Sequence, residues 1–413
     1  LWLCGAMRFG YTTGSCATAA AKAAAMGLFI GDIPNEVEID VPAGVKLNLK
    51  IHDKHLSAES ATCAVQKDAG DDPDVTNGCF VHARVERNTA KTIEIDGGNG
   101  VGRVTKPGLQ IPVGQAAINP VPRRMIEDAV RGIIGKDAGA KVTITVPTGK
   151  ALGEKTFNPK LGIVGGISII GTTGVVRPMS EDAFQTSLLC GLDIARGCGY
   201  DTVALVPGSL GERSLLGLAN IAKEQVVQIS NFVGFMLNAA CERGFKSIIL
   251  AGHPGKLAKL LRGDFHTHSA VSRPANDILI ETILQHIRTI PSQPHTQVPH
   301  KMGHGEAEDT IAEKGVHLNS GESGRLSDEI TGKLKDSPTV EGIVELLKVS
   351  GYFLVMNNVA EEIEVKVRDF INGKRPFVSG TVGIILFDMK GAVIGISNNA
   401  QTWLNTTKTR SSL

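Results

Sequence analysis

Aromatic side chains are scarce in this sequence, at 4% of 413 residues, and no stretch reaches the roughly 18 consecutive apolar residues that a membrane-spanning helix requires. Residues 1–7 are too short for the apolar core of a signal peptide, so a cytoplasmic setting is expected. Leu1 is not an ordinary start, and residues 1–6, upstream of Met7, are given no structural role. The seven cysteines never form a CxxC pair, which argues against a zinc ribbon, and their odd number and scatter argue against a disulfide framework. Most are expected to be small buried hydrophobes. Neither sign of charge dominates: 43 Lys or Arg stand against 42 Asp or Glu, which excludes a general binder of nucleic acid or of a membrane surface. The phosphate-binding pattern GxxxxGK[ST] is missing as well.

Glycine, by contrast, is abundant, with 48 residues concentrated between short apolar runs. The chain opens with RFGYTTGSCATAAAKAAAMG, an alanine-rich helix expected to end near Gly27 and to be capped by Thr13 or Ser15. Free amides at its start, beside the hydroxyls of Thr12, Thr13 and Ser15 and close to Tyr11, suit an anion, although Ser or Thr before a helix more often serves only as a cap. Alternating runs at Val37–Val41, Leu47–Ile51, Val81–Val85 and Thr92–Ile95 predict strands of an antiparallel or mixed sheet. Between them VQKDAGDDPDVTNG gathers Asp68, Asp71, Asp72 and Asp74, carboxylates that suit a base, a hard cation or a capped turn. The glycine-rich turn holding Gly100 and Gly102 is followed by Arg103, Lys106, Arg123 and Arg124, cations suited to carboxylate or phosphate groups. Over residues 97–180, eleven Lys or Arg face four Asp or Glu, and the segment ends in Gly171-Thr172-Thr173-Gly174 and Arg177. A polyanionic small ligand fits that excess, and so does a solvated basic face.

From Thr202 onward strands and helices alternate, predicting parallel strands with right-handed crossovers. Three strand ends then converge on one carboxyl edge, at Gly208, at Ser230-Asn231 and at Gly252-His253, and that edge is where a ligand sits in such sheets. Glu212, just beyond the first strand end, could hold a ribose hydroxyl. Residues 291–336, with His295, His300 and His304 among prolines, are read as a flexible loop rather than a metal site. Segments 340–349 and 358–371 are expected to be helical, TVGIILFDMKGAVIGIS is expected to form a hairpin, and residues after Asn398 are expected to fray.

The fold class that follows is α/β. Residues 7–185 make an α+β substrate domain with a mixed sheet, and 186–375 make a Rossmann-like three-layer α/β/α domain with a parallel sheet. The hairpin 376–398 is a candidate to pack back on the first domain.

Taken together, RFGYTTGSCATAAAKAA, KDAGDDPDVTNG, GGNGVGRVTKPGLQIPVGQAAINPVPRRMI, KTFNPKLGIVGGISIIGTTGVVRPMSEDA and AGHPGKLAKL followed by FHTHS resemble the cobalt-precorrin-5B carbon-1 methyltransferase family, the CbiD-type enzymes of oxygen-independent cobalamin synthesis. The resemblance spans roughly residues 7–290 and the terminal hairpin. It implies methyl transfer from S-adenosylmethionine to carbon 1 of a cobalt-corrinoid intermediate, with cobalt present only as part of the substrate. Thr267 and His268 match the family's FxTHS segment, whereas His266 stands where Asn is expected. On this reading the substrate's carboxylates meet Tyr11, Thr12, Thr13, Ser15, Gly100, Gly102, Arg103, Lys106, Arg123, Arg124, Thr172, Thr173 and Arg177. The donor meets Gly208, Glu212, Ser230, Asn231, Gly252, His253, Thr267 and His268. His253, Asp68 and Asp72 are the acid–base candidates, because a ring carbon becomes a better nucleophile when a proton is removed. An oligomer and transient contact with neighbouring pathway enzymes stay open. A nucleotide-dependent small-molecule kinase and a non-catalytic tetrapyrrole carrier are the rival classes.

Overall fold

The computed structural model describes residues 7–289, 329–373 and 380–409. Residues 291–306, with His295, His300 and His304, lie outside the described residues. The chain divides into two compact units, Leu1–Gly199 and Tyr200–Leu413.

In the first unit the helix Thr13–Ile30 is the central element. Ala17, Ala19, Ala20, Ala21, Ala23, Ala24 and Ala25 are completely buried, and a helix apolar on every side belongs inside a core. Methyl-sized side chains let it approach the strands Ser60–Gln66 and Phe80–Asn88 and the helix Pro120–Ile134 at once. Its cap is Thr12, whose Oγ1 accepts from the Ser15 amide, rather than Thr13 or Ser15, and it runs past Gly27 to a left-handed Gly31. The sheet beneath is mixed, in the order His52–Leu56, Ser60–Gln66, Phe80–Asn88, Gly139–Thr145, Ile93–Gly97. Only its last pair is parallel. Strands Glu36–Val41 and Val45–Lys50 form a separate hairpin, burying Val37, Ile39 and Val41 while their acidic neighbours face outward.

The second unit has a five-stranded sheet, ordered Val226–Gln228, Thr202–Val206, Ser247–Gly252, Thr381–Phe387, Val393–Ile396. The first four strands are parallel and the last is antiparallel. The terminal hairpin therefore does not extend the first unit. Thr381–Phe387 pairs along its length with Ser247–Gly252, and its nearly continuous burial from Val382 to Phe387 is the mark of a strand covered on both faces. Gly383 and Gly395 mark those faces: a Cβ at Gly383 would strike Ala400 of the helix Asn398–Thr409, and one at Gly395 would strike Met356 of the helix Val355–Asn372. The segment Asn398–Thr409, expected to fray, is thus an ordered helix, in which Ala400 and Leu404 are buried one turn apart and Trp403 is partly buried. Within the stretch read as a loop, residues 329–335 are helical and bury Ile330 and Leu334. Among the described residues no helix is long and apolar enough to cross a membrane.

Candidate functional site

In the first unit four separated sequence segments meet at the start of the Thr13–Ile30 helix. The strand Gly10–Tyr11 pairs antiparallel with Val175–Val176. The two Thr-Thr-Gly repeats interlock: the Thr12 amide donates to the Gly174 carbonyl, the Gly14 amide to Ile170, and the Ser15 hydroxyl to Gly174 at 2.6 Å. Thr13 Oγ1 accepts from the Ile170 amide at 2.9 Å. Pro122, from the start of the helix Pro120–Ile134, lies against Gly14, where any Cβ would collide with it. The acidic loop joins through Asp72, which accepts from the Met179 amide at 2.9 Å.

This packing alters the reading of several candidates. Thr12, Thr13 and Ser15 are buried, and the amides of Gly14 and Ser15 are already bonded, so the helix start is a structural knot and offers no open anion cradle there. Tyr11 donates to the Gln66 carbonyl, and burial pushes its phenol up to about 12. Thr172 and Thr173 are exposed. Gly100 and Gly102 are also buried: Gly100, at φ 76°, abuts the Val146 carbonyl and Gly149, and Gly102 abuts Ile163 and Gly166. Their missing side chains serve close backbone packing. Arg103 bonds Asp96 and the carbonyls of Gly97 and Gly114, while Arg123 bonds the Ile95 carbonyl at 2.7 Å. The Lys106 stem lies over Gly162. Arg124 and Arg177 are exposed and, among the described residues, have neither a side-chain hydrogen bond nor an ion pair.

The acidic loop is likewise held together internally. Arg8 forks onto Asp68, and that hydrogen bond holds the carboxyl below its usual range. Asp71 accepts from the Arg8 amide. Lys67, 3% exposed, extends to Asp74 at 2.5 Å, and Asp74 also accepts from the amide and hydroxyl of Thr76. This buried lysine went unremarked in the sequence, where it reads as one more surface cation. Asp72 keeps one oxygen without a partner among the described residues. Burial raises the Cys63 thiol to about 12 and the Cys79 thiol to about 11, so neither is a thiolate nucleophile at neutral pH.

In the second unit the parallel register brings the ends of Thr202–Val206, Val226–Gln228 and Ser247–Gly252 to one edge. Gly208 precedes the helix Ser209–Leu218, and Gly252 sits so close to Pro207 that a Cβ would come within 2.9 Å. Ser230 adopts φ 53°, a conformation costly for a residue with a Cβ. The Thr267 amide donates to the Asn231 carbonyl, laying the loop after Gly263 across this edge. Lys259, buried, donates to the Thr267 and Ser272 carbonyls at 3.0 Å and clamps that loop, a role with no sequence signal. Glu212 accepts from Gln228. His268 is exposed, its Nδ1 accepting from the Ala270 amide. His253 caps the next helix: Nδ1 accepts from the Gly255 amide at 3.0 Å and Nε2 faces Glu341 at 3.2 Å, so both ring nitrogens are engaged. A cavity of about 620 Å3 lies between Arg213, Ser214 and the turn Met389–Val393, and no donor candidate lines it. Sequence reasoning missed this wall by placing the terminal hairpin elsewhere. Among the described residues no group of three or more His, Cys, Asp or Glu could hold a metal ion.

Comparison with known proteins gives a coherent result. The CbiD family model matches residues 5–178, and the model of the CbiD C-terminal domain matches residues 322–398. A protein of Salmonella typhimurium strain LT2 is 48% identical over 391 residues, 94% of this chain and 92% of that one. One of Citrobacter koseri is 38% identical over 390 residues, again 94% and 92%. One of Edwardsiella ictaluri is 48% identical over 282 residues, 68% of this chain and 73% of its own. All three are named cobalt-precorrin-5B C(1)-methyltransferase. A crystal structure of the cobalamin biosynthesis protein cbiD from Archaeoglobus fulgidus is 27% identical, covering 59% of this chain and 76% of that one, with a TM-score of 0.34.

Proposed function

The chain belongs to the CbiD family, and from that premise we propose that it transfers a methyl group from S-adenosylmethionine to carbon 1 of cobalt-precorrin-5B, giving cobalt-precorrin-6A in anaerobic cobalamin synthesis. The observation that carries this reading is 48% identity along 94% of the chain to a relative bearing that name. In the reaction the sulfonium–methyl bond breaks as a carbon–carbon bond forms, and S-adenosylhomocysteine leaves with the electron pair. Holding donor and acceptor in line can contribute about 7–11 kcal/mol, so no covalent nucleophile is required. The protonated state of Cys63 and Cys79 fits that economy. Cytosolic conditions, which keep thiols reduced, suit the six cysteines that are unpaired among the described residues.

Arg124 and Arg177 are the best-supported partners for the substrate's carboxylates, since Arg103 and Arg123 already serve the fold and these two do not. The donor is assigned to the carboxyl edge of the parallel sheet, where nothing lies within 4 Å of a Cβ placed on Gly208 and the backbone can be approached closely. Of the acid–base candidates, His253 has both nitrogens engaged and Asp68 is locked by Arg8. Asp72 has a free oxygen and takes that role.

Equilibrium titration separates this reading from a nucleotide-dependent kinase. S-adenosylmethionine and S-adenosylhomocysteine should bind, and Gly208→Val, which fills open space at the sheet edge, should abolish both without affecting the corrinoid. Binding of adenosine triphosphate with magnesium, in the absence of either adenosyl ligand, would reject it. Replacing Arg124 and Arg177 together by Gln should weaken corrinoid binding about tenfold or more and leave donor binding unchanged. Equal losses for both ligands would contradict the division of labour.

A further inference from the structure

The first unit holds a second cluster, apart from the residues assigned to methyl transfer above. The strand His52–Leu56 carries a bulge: its register against Ser60–Gln66 slips between His52 and His55, and Asp53 takes up φ 48° there. The distortion separates neighbours, sending Lys54 Nζ to the Ile33 carbonyl and Asn35 while the Asp53 carboxylate reaches His82 Nε2 at 3.0 Å. The other ring nitrogen of His82, Nδ1, is buried without a partner among the described residues. Donation from Nε2 fixes one carboxylate oxygen of Asp53. Backbone strain of this kind persists where surrounding structure enforces it, and it is frequent at ligand sites.

Asp53 and His82 line a cavity of about 530 Å3, together with Phe80, Cys79, Pro147 and Leu152. Phe80 stands between two imidazoles, 5.5 Å from His52 and 6.4 Å from His82. No Lys or Arg is among the lining residues, so no permanent cation stands beside the carboxylate in the cavity. A hard metal ion needs about six oxygen ligands, and a plain ammonium needs several acceptors; beside Asp53 the lining side chains offer only Thr148 and the already bonded Asn77 as oxygen ligands, which is too few. An alkylated cation, which hydrates weakly and is attracted both to an aromatic ring and to a carboxylate, matches Asp53, Phe80 and the apolar wall, while Asn77, which also lines the cavity, already accepts from the Ala69 amide.

We propose that this cavity is a binding site for a small alkylated onium ion, quaternary ammonium or sulfonium, with Asp53 as its charge partner and His82 as the residue that positions Asp53. The site stands apart from the methyltransferase reading, and its failure would leave the donor assignment in the second unit untouched. Choline and its neutral carbon isostere 3,3-dimethylbutan-1-ol are the probes, titrated into the full chain by ligand-observed NMR. Choline should bind about tenfold or more tightly than the alcohol. Asp53→Asn should erase that preference, His82→Leu should erase most of it, and His82→Gln, which can still donate to Asp53, should keep it. Should Asp53→Asn fail to fold, Leu152→Trp fills the cavity from the opposite wall and should abolish choline binding. Equal binding of choline and the alcohol, or choline binding that survives Leu152→Trp in a folded protein, would overturn the proposal. Undisturbed choline binding in the presence of S-adenosylmethionine would support a separate onium site; competition by S-adenosylmethionine but not by its neutral thioether product would place the methyl donor here and overturn the claim of a separate site.

Discussion

At the scale of single residues, a few polar groups bear more of the fold than their exposure in the sequence suggests. Lys67 is buried with Asp74 as its counter-ion, and breaking such a pair by removing one partner strands a charge. Asp74→Ala should therefore cost about 3 kcal/mol in a denaturant titration. Burial pushes the Asp74 carboxyl upward, but the hydrogen bond and charge of Lys67 and the donors of Thr76 outweigh it and hold the value below the usual range. A carboxyl depressed in the folded state stabilises fully above its unfolded value of about 3.9, and that stabilisation is lost as pH falls through the lower folded value. Between pH 5 and acid the wild-type denaturation midpoint should consequently fall more steeply than that of Asp74→Asn; parallel profiles would contradict the assignment. Gly100 makes a similar point for the backbone. Its φ of 76° and its approach to the Val146 carbonyl leave no space for a methyl group, so Gly100→Ala should destabilise the first unit whether or not ligand is present. The sequence showed glycine and aspartate in quantity. It could not show that they had been spent on packing and on each other, because both uses depend on contacts between distant segments.

At the scale of elements, the most legible features were those whose pattern is local. The parallel strands at Thr202–Val206 and Ser247–Gly252 and the helix Val340–Val349 follow directly from apolar runs and periodicity. The strands His52–Leu56 and Ser60–Gln66 were not legible, since the first is largely polar and the second has small side chains. The terminal hairpin was visible as strands, but its partner lay 130 residues or so back along the chain, and no local pattern specifies such a register. Gly383 provides the test of its placement. Valine favours strands, so Gly383→Val would be neutral or helpful in an uncovered hairpin. With the helix Asn398–Thr409 packed on that glycine, the same change should cost about 1–3 kcal/mol in thermal or denaturant unfolding. An unchanged midpoint would remove the helix from that face.

At the scale of the whole molecule, family membership and the chemistry of the two units support one reaction, although they do so by different routes. The family was legible because several glycine- and threonine-rich segments occur in order, and the structure gives a reason for part of that order: Gly10–Ser15, the acidic loop, Pro122 and residues 170–179 meet in space. The candidate site was only partly legible, since composition counts Arg103, Arg123, Arg124 and Arg177 alike and only the fold separates the two that are committed from the two that are available. The most direct test of the central claim is turnover by the purified chain of cobalt-precorrin-5B with S-adenosylmethionine carrying a carbon-13 methyl group, followed by NMR of the product. The account predicts one labelled methyl per corrinoid, attached to carbon 1, with S-adenosylhomocysteine formed in equal amount. A labelled methyl at another position, or no transfer by folded protein that binds both ligands, would contradict it.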